Sequence, residues 1–375
     1  MKSLRIAFFG SSLVSAYWNG AATYYRGILR ALADRGHRIT FYEPDAYDRQ
    51  RHRDIPDPNW AEVVVYAGDR VSAAEAALAS AQGSDLVVKA SGVGVYDDWL
   101  ERNVLSLQSA ECRVAFWDVD APATLERVRS NPADPFRALI PRYDIVLTYG
   151  GGPPVISAYR DLGARQVVPI YNALDPDTHH PDSPDPRFLG DLGLLANRLP
   201  DREARIDEFF FSVAARMPDL SFVLGGSGWE DKAMPRNVRY VGHVYTREHN
   251  AFNSSTRAVL NVHRESMART GYSPATRVFE AAGARACIIT DRFLGVERFL
   301  QPRVEVLVAD GGADVATILA TLTPRDARAI GTQAMRRVLG HHTYDHRAET
   351  LEQTLLAFWP ASLYPPPKPA AALWS

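Results

Sequence analysis

The sequence has few of the features that mark secreted, membrane-spanning or nucleic-acid-binding proteins. Only two cysteines, Cys112 and Cys287, occur in 375 residues. Both lie in apolar, strand-like contexts, so we expect buried thiols and no disulfide framework. No apolar run reaches the ~18 residues of a membrane span. The formal net charge of −2 gives no indication of a nucleic-acid or anionic membrane partner. Because the chain opens directly on a strand-like segment without a signal-peptide pattern, we expect a cytoplasmic protein.

A complete dinucleotide-binding fingerprint is also missing. The apolar run Leu4–Phe9 ends in Gly10-Ser11-Ser12, a helical pattern covers about 20–35, and a second apolar run starts at Arg38. Strand, glycine turn, helix and strand make a βαβ unit, the beginning of a Rossmann-like half. Since no full GxGxxG follows the first strand, we do not expect an NAD site.

Length and periodicity predict two domains of one class. A chain of 375 residues exceeds the usual size of a single core. Strand-like runs alternate with helical segments before and after residues 172–186, which predicts an α/β protein with a doubly wound parallel sheet in each half. The segment itself, NALDPDTHHPDSPDP, is rich in proline and aspartate and has no periodicity, so it is predicted to be the linker.

The linker contains two adjacent histidines, His179 and His180. Neighbouring side chains of an extended segment point in different directions, and no third ligand follows at a suitable spacing. We therefore predict solvated hinge residues here and no metal site. His37, in a turn that leads into a strand, is predicted to be structural.

The most informative stretch is Tyr272–Ala309, predicted to form a helix, a buried strand, a short second helix and a second strand. Ser273 is predicted to be the N-cap and Pro274 the first helical residue, with the helix ending near Gly283. Arg277 and Glu280 then share one face. The free N–H groups of a helix start attract anions, an arginine adds positive charge, and a glutamate can accept two hydrogen bonds. This pattern fits a diphosphate beside a ribose diol; the alternative is an ordinary amphipathic helix with a solvated Arg277–Glu280 pair.

The continuation of this stretch resembles a known family. The segment FEAAGARACIIT, followed by Asp291–Gly295 and Glu297, resembles the donor-binding core of GT-B glycosyltransferases, and GYSPATRVFEAAG is similar to the spore-maturation-type (CgeB-like) group. Of the Glu-x7-Glu motif of many retaining members, Glu280 fills the second position and Tyr272 occupies the first. The resemblance implies two Rossmann-like domains that face each other across a cleft. Residues 1–171 would be the acceptor-side domain, joined by a C-terminal helix at about 345–375 that crosses back to it, and 172–344 the nucleotide-sugar domain.

The resemblance also assigns donor contacts. Glu280 would bind the ribose, the backbone around Gly242 and His243 the base, and three arginines the phosphates, because a guanidinium donates in a planar, permanently charged fork. Arg202 stands out among arginines because a cation at a helix start is disfavoured unless an anion binds nearby. The full set of predicted donor-binding residues is Arg202, Arg264, Arg277, Glu280, Tyr272, Ser273, Pro274, Ala275, Thr276, Gly242, His243, Gly10, Ser11 and Asn19. In this family such groups support the diphosphate without a divalent metal, so neither a metal nor a cofactor is expected beside the nucleotide sugar.

Acid–base chemistry would need a carboxylate of the first domain. Asp118 and Asp120, in FWDVDAP, end a predicted strand and match an Asp-x-Asp-x-Pro pattern of the family; one is expected to face the cleft and the other to cap the next helix. Asp97 and Asp98 are the second choice. The expected function is a hexosyltransferase-type glycosyltransferase that uses a nucleoside-diphosphate sugar, with UDP as the preferred nucleotide, and an unidentified small-molecule, glycan or protein acceptor. The alternatives are an epimerase or hydrolase of the same fold, or a catalytically silent nucleotide-sugar-binding protein.

Overall fold

The structure is a computed structural model that describes residues 3–17 and 19–358. It divides into two compact units. The first contains the residues up to Tyr171 and those from Asp345 on, and the second is Asn172–Tyr344. The proline-rich segment 360–375 lies outside the described residues.

The first unit is built on a seven-stranded parallel sheet. Its strands are β1 (Arg5–Phe9), β2 (Arg38–Asp45), β3 (Ala61–Ala67), β4 (Leu86–Ala90), β5 (Arg113–Asp118), β6 (Ile145–Thr148) and β7 (Val167–Pro169). They lie in the order β3-β2-β1-β4-β5-β6-β7. Helices cover both faces of such a sheet, so central strands read as unbroken apolar runs; every residue of β4 is buried. The helices of this part are α1 (Ala22–Asp34), α2 (Val71–Ser80), α3 (Asp97–Asn103), α4 (Ala121–Ser130) and α5 (Gly152–Asp161).

The second unit repeats the arrangement with six parallel strands. These are β8 (Gly190–Leu195), β9 (Phe222–Gly225), β10 (Val238–Tyr240), β11 (Thr256–Asn261), β12 (Ile288–Asp291) and β13 (Leu307–Ala309), in the order β10-β9-β8-β11-β12-β13. Its helices are α6 (Pro200–Ile206), which continues through a π-helical turn (Asp207–Phe211) into α7 (Ser212–Arg216), then α8 (His249–Ser255), α9 (Glu265–Thr270), α10 (Thr276–Gly283), α11 (Gly312–Thr321) and α12 (Pro324–His341). In both sheets, successive strands are added first on one side of the first strand and then on the other. Parallel α/β sheets bind ligands at the point where this strand order reverses.

The segment 172–186, predicted to be the linker, is exposed at most of its positions and is also bound to the rest of the second unit. Its backbone is fixed to side chains of the second unit: His180 N donates to Asn250 Oδ1, and Asp185 N donates to Ser255 Oγ at 2.7 Å. Leu174 is fully buried and forms a β-bridge with Thr343. These polar partners lie far along the chain, so local composition did not indicate them.

A last helix, α13 (Tyr344–Leu356), belongs to the first unit from Asp345 on. Its Glu352 accepts from Arg35 Nε at 2.8 Å and lies 2.9 Å from His37 Nε2. Leu4 N donates to His37 Nδ1, so the ring hydrogen is on Nε2 and points at Glu352. The structural role predicted for His37 is confirmed, as are the two buried, unpaired cysteines. Among the described residues no helix combines the length and apolar composition that crossing a bilayer requires.

Glu352→Gln is expected to lower the melting temperature at neutral pH and to have no effect in acid. Partial burial acts to raise the pKa of Glu352, but the hydrogen bonds from Arg35 and His37 outweigh it and hold that pKa below its usual range. A carboxyl group with a depressed pKa stabilises the fold above its unfolded pKa of ~4.3, and that stabilisation is lost as the pH falls through the folded value. Hydrogen bonds to a charged group indicate a loss of about 1–2 kcal/mol. Melting curves at pH 7 and through a series of decreasing pH values measure it.

Glu349→Gln is the matched control, because Glu349 is an exposed residue of the same helix. An equal loss in both variants, or a loss in Glu352→Gln that persists in acid, would contradict this role of the carboxylate.

Candidate functional site

Two arginines flank the point where the second sheet changes direction. Strands β8 and β11 are neighbours there, and the chain leaves them in opposite directions along the sheet. Arg202 lies in the first turn of α6, which follows β8, and Arg264 lies directly before α9, which follows β11. The two arginines picked from sequence therefore come from the two strands that form the ligand crevice of this sheet class.

Arg202 is a buried cation. Only 4% of the residue is exposed, its Nη2 donates to the carbonyl of Asn197 at 2.7 Å, and its Nε has no hydrogen-bond partner among the described residues. Burial, with the positive charges of Arg277 and Arg264, lowers the pKa of Arg202 to about 9. A buried guanidinium among like charges is destabilised unless an anion joins it. The three predicted arginines thus form one electropositive cluster, and we call Arg202, Arg264 and Arg277 the arginine cluster.

The helix that carries Arg277 begins later than predicted. Helix α10 starts at Thr276 with Ala275 as its N-cap residue. Ser273 does not cap it, because its hydroxyl donates to the carbonyl of Gly271 at 3.0 Å. Tyr272 has a φ of 49°, so a tight turn comes before the helix and takes Ser273 out of capping position. The first N–H groups of α10 still have no partners within the helix. Arg277 is the second residue of α10 and lies in its first turn.

The turn at Tyr272 packs against the loop after β12. Tyr272 N donates to the carbonyl of Leu294 at 2.6 Å. Gly295 has a φ of 85°, and a Cβ added there would lie 2.2 Å from the tyrosine ring. The segment after β12, predicted to be a short second helix, is a 3₁₀ turn at Val296–Arg298. A glycine at 295 therefore lets this loop support the turn that begins α10.

Gly295→Ala is expected to destabilise the protein by about 2–4 kcal/mol, because it combines left-handed backbone strain with a steric overlap. UDP affinity should fall as well, since the overlap displaces Tyr272. Gly340→Ala is the control: Gly340 lies in α12 with open space around its Cβ position, and alanine favours a helix over glycine. Thermal unfolding of both variants tests this, and equal stability of Gly295→Ala and wild type would contradict it.

A buried ionic group lies behind the arginine cluster. Asp291 Oδ1 is 2.7 Å from His263 Nδ1, and its Oδ2 accepts from Arg205 Nη2 at 2.6 Å. Burial acts to raise the pKa of Asp291, but His263 and Arg205 outweigh it and lower that pKa. Because His263 comes directly before Arg264, this group fixes the backbone from which Arg264 extends. No sequence pattern indicates this group, since its members come from α6 and the ends of two strands.

Glu280 projects from the last turns of α10 with only 15% of its side chain exposed. The side chain of Glu280 faces His179 and not Arg277: His179 Nε2 lies 3.8 Å from Glu280 Oε1. His179 is buried, with 2% of its side chain exposed, so the prediction of a solvated hinge histidine is wrong. His249, at the start of α8, joins them: one ligand atom from each of the three residues lies within 4.8 Å of the others.

The predicted base-binding loop follows β10. Gly242 has a φ of 74° and is partly exposed, and His243 is exposed. The His243 ring lies 3.3 Å from Ser227 Oγ and packs edge-on against Tyr245. The loop thus offers an accessible backbone and an aromatic surface in the same unit as the arginine cluster.

The predicted residues of the first unit form a buried network. Ser11 Oγ donates to Asn19 Oδ1 at 2.9 Å, and Asn19 Nδ2 donates to the carbonyls of Ser12 and Ser15. Gly10 begins this loop, where a Cβ would lie 2.5 Å from the ring of Phe41. Ser11 and Asn19 thus hold the glycine turn in shape.

Asp118 and Asp120 differ in environment. Asp118 is fully buried; one oxygen accepts from Asp120 N and Thr124 Oγ1, and the other accepts from the Tyr159 hydroxyl. Burial raises the pKa of Asp118. Asp120 is the N-cap residue of α4, but its side chain makes no capping hydrogen bond. The side chain of Asp118 instead accepts from the backbone N–H of Asp120. Asp120 is partly exposed, so it is the carboxylate of the pair that solvent reaches.

The second-choice carboxylate Asp97 is structural. It begins α3, accepts from the backbone N–H groups of Val93 and Gly94, and pairs with the buried Lys89 at 2.6 Å.

The fold is that of the GT-B glycosyltransferases. Sucrose-phosphate synthase from Thermosynechococcus elongatus is similar, with a TM-score of 0.71 and 14% identity over 94% of this chain and 98% of that one. HepE from Anabaena, solved with UDP and glucose, gives a TM-score of 0.68 and 13% identity over 94% and 100%. AviGT4, a glycosyltransferase involved in avilamycin A biosynthesis, gives 0.59 and 16% over 95% and 98%.

The sequence itself carries a family pattern in its second half. Residues 202–353 match the family model described as glycosyl transferase-like. This match begins at Arg202 and includes the rest of the arginine cluster and Glu280. Among curated proteins, none matches the sequence.

Proposed function

We propose that this protein is a glycosyltransferase of the hexosyltransferase type that uses a nucleoside-diphosphate sugar, with UDP as the nucleotide, and that it belongs to the CgeB-like group. The observation that carries the proposal is the arginine cluster: a buried, incompletely paired guanidinium beside two further arginines, at the ligand-binding edge of a parallel sheet. Arg264 is ion-paired with Asp201 at 2.5 Å, and a diphosphate would supply the further negative charge that the buried Arg202 can accept. HepE, which has a similar fold, was solved with UDP and glucose, and this supports the choice of nucleotide.

The proposed roles follow from the chemistry of each group. The arginine cluster and the first N–H groups of α10 stabilise the leaving diphosphate, because preorganised donors act where negative charge develops. Glu280 accepts from the ribose hydroxyls, and the loop at Gly242 and His243 contacts the base. The bound nucleotide sugar is a co-substrate, and the transfer needs no further cofactor.

Asp120 is our candidate for accepting the proton of the acceptor hydroxyl. Its partner Asp118 is assigned a supporting role instead, since both of its oxygens are already bonded within the first unit. The proposal leaves the acceptor open among small molecules, glycans and proteins.

A thermal-shift panel with UDP, GDP, TDP and ADP tests nucleotide binding first. A ligand at ~100 times its dissociation constant adds about 2.7 kcal/mol of stability, which raises the melting temperature by several degrees in a domain of this size. We expect the largest shift with UDP. No shift with any of the four nucleotides would overturn the proposal.

Radiolabelled UDP-sugars then test the reaction. Transfer of label to an added acceptor supports a glycosyltransferase. Release of free sugar, or conversion to a different UDP-sugar, would instead indicate a hydrolase or an epimerase, and binding without turnover across an acceptor library would indicate a silent binding protein.

A further inference from the structure

Three ligand-type side chains converge in the second unit, from segments far apart in sequence. His179 comes from the segment before β8, His249 from the start of α8 and Glu280 from α10. Their side chains face a common point: the imidazole Nε2 of His179 lies 3.8 Å from Glu280 Oε1, and the two imidazole rings are 5.8 Å apart between centroids. No hydrogen bond among these three side chains explains the convergence.

The nitrogen of His179 that faces Glu280 is unsatisfied. Its Nδ1 lies 2.9 Å from the hydroxyl of Thr178, whereas its Nε2 has no hydrogen-bond partner among residues 3–17 and 19–358. The same holds for Nδ1 of His249. A buried polar atom without a partner is destabilising, because it has lost its hydrogen bonds to water. Both histidines of the cluster thus keep a buried ring nitrogen without a partner, and together with the carboxylate of Glu280 they are suited to a positively charged ligand.

The spacing suits a small ion better than a larger group. Ligand atoms ~2.0–2.2 Å from a tetrahedral zinc ion lie roughly 3.3–3.6 Å from one another. Here the three ligand atoms lie within 4.8 Å of one another, so small side-chain rotations bring them to that distance. Two histidines and one glutamate form a ligand set of zinc sites that leave a fourth position open to water.

The outer contacts of the histidines also fit metal ligation. A metal-bound histidine usually has its other ring nitrogen held by a hydrogen bond, which fixes the ring and the tautomer. Thr178 takes this part for His179, because its hydroxyl lies 2.9 Å from Nδ1 of that ring. The second oxygen of Glu280 stays available, so a metal on Oε1 does not prevent a hydrogen bond to a ribose.

We propose that His179, His249 and Glu280 bind one divalent transition-metal ion of the zinc type. The ion would tie the segment 172–186 to α8 and α10 and fix the carboxylate of Glu280. This site is separate from the arginine cluster, and it does not depend on the proposed transferase function.

Metal titration of chelator-treated protein, free of any purification tag, tests the site. Zinc binding is measured by calorimetry, and Co²⁺ serves as an optical probe whose visible spectrum reports low coordination and imidazole ligands. We expect one ion per chain with a low-coordinate Co²⁺ spectrum. His179→Gln and His249→Gln should each weaken binding more than ~100-fold, beyond the 10- to 100-fold typical of losing a residue that only orients a ligand.

His180→Gln is the matched control, since His180 is the exposed neighbour of His179; it should bind zinc like wild type. Equal weakening in all three variants, or retained binding in His179→Gln and His249→Gln, would overturn the proposal. So would a wild-type protein that binds no zinc, or one whose Co²⁺ spectrum shows only hydrated ion, and this wild-type test holds even if a variant fails to fold. UDP affinity measured in excess chelator tests the proposed function separately, so the failure of either proposal is recognised by itself.

Discussion

Arg202→Met is expected to weaken UDP binding by roughly 10- to 100-fold, because hydrogen bonds to a charged group contribute about 1.5–3 kcal/mol and each ~1.4 kcal/mol is a factor of ten. Methionine keeps much of the volume of the buried side chain but removes the charge and the N–H donors, including the one bonded to the carbonyl of Asn197. Titration calorimetry with wild type and variant measures the change. In the variant, the arginine cluster keeps two of its three guanidinium groups for binding the diphosphate.

The same substitution should not lower stability. In the free protein Arg202 is a buried cation repelled by Arg277 and Arg264, and one of its nitrogens has no partner within the described residues. Replacing an incompletely compensated buried charge by an apolar group of similar volume is often neutral or stabilising. We therefore expect a melting temperature equal to that of wild type or higher. Opposite changes in affinity and stability distinguish a ligand-binding arginine from a structural one.

Arg216→Met provides the comparison. Arg216 is an exposed arginine of α7 whose guanidinium bonds only with Ser212 among the recorded contacts, and its loss should leave UDP affinity unchanged. If Arg202→Met bound UDP within a factor of two of wild type, or unfolded well below it, Arg202 would be a structural residue and the arginine cluster would lose its assigned role.

Glu280→Ala is expected to reduce UDP affinity by roughly 10- to 100-fold as well, through loss of up to two charge-assisted hydrogen bonds to the ribose. The titration is made in excess chelator, so that no metal at His179 and His249 contributes. UMP and free uridine should lose affinity by a similar factor, since both keep the ribose. Inorganic diphosphate should be unaffected, which separates a ribose contact from a general loss of the site.

Glu126→Ala is the control, because Glu126 is an exposed glutamate of α4. Under the alternative that Glu280 is an ordinary solvated carboxylate, its ion pairs contribute under ~1 kcal/mol and UDP affinity should hardly change. An affinity of Glu280→Ala within a factor of two of the Glu126→Ala value would support that alternative.

Much of the fold could be predicted because parallel strands buried on both faces leave a clear sequence pattern. Every residue of β4, Leu86–Ala90, is buried, and even its Lys89 is enclosed with an ion pair to Asp97. The helix, strand, turn and strand order of Tyr272–Ala309 also follows from local periodicity. Errors arose where a distant partner overrides a local preference, as with Ser273, whose hydroxyl turns to Gly271 in a turn that the loop at Leu294 supports.

The candidate site was also predictable only in part, where local sequence marks its residues. Arg202, Arg264 and Arg277 could be found because a helix start or a family pattern marks each one. The burial of Asp118 could not, since it depends on Tyr159 and Thr124 from two different helices. The convergence of His179 with His249 and Glu280 could not be found either, because no spacing relates three residues that tertiary structure alone brings together.

Because α13 belongs to the first unit but follows the second unit in sequence, the first unit cannot be completed until the second has been synthesised. The first unit needs this helix to cover Arg35 and His37, yet all of Asn172–Tyr344 must be translated before the helix exists. At roughly 5–20 residues per second this takes on the order of 10–30 s. Until then Arg35 and His37 lack their partner Glu352, and a truncation before Asp345 is expected to leave them without it permanently.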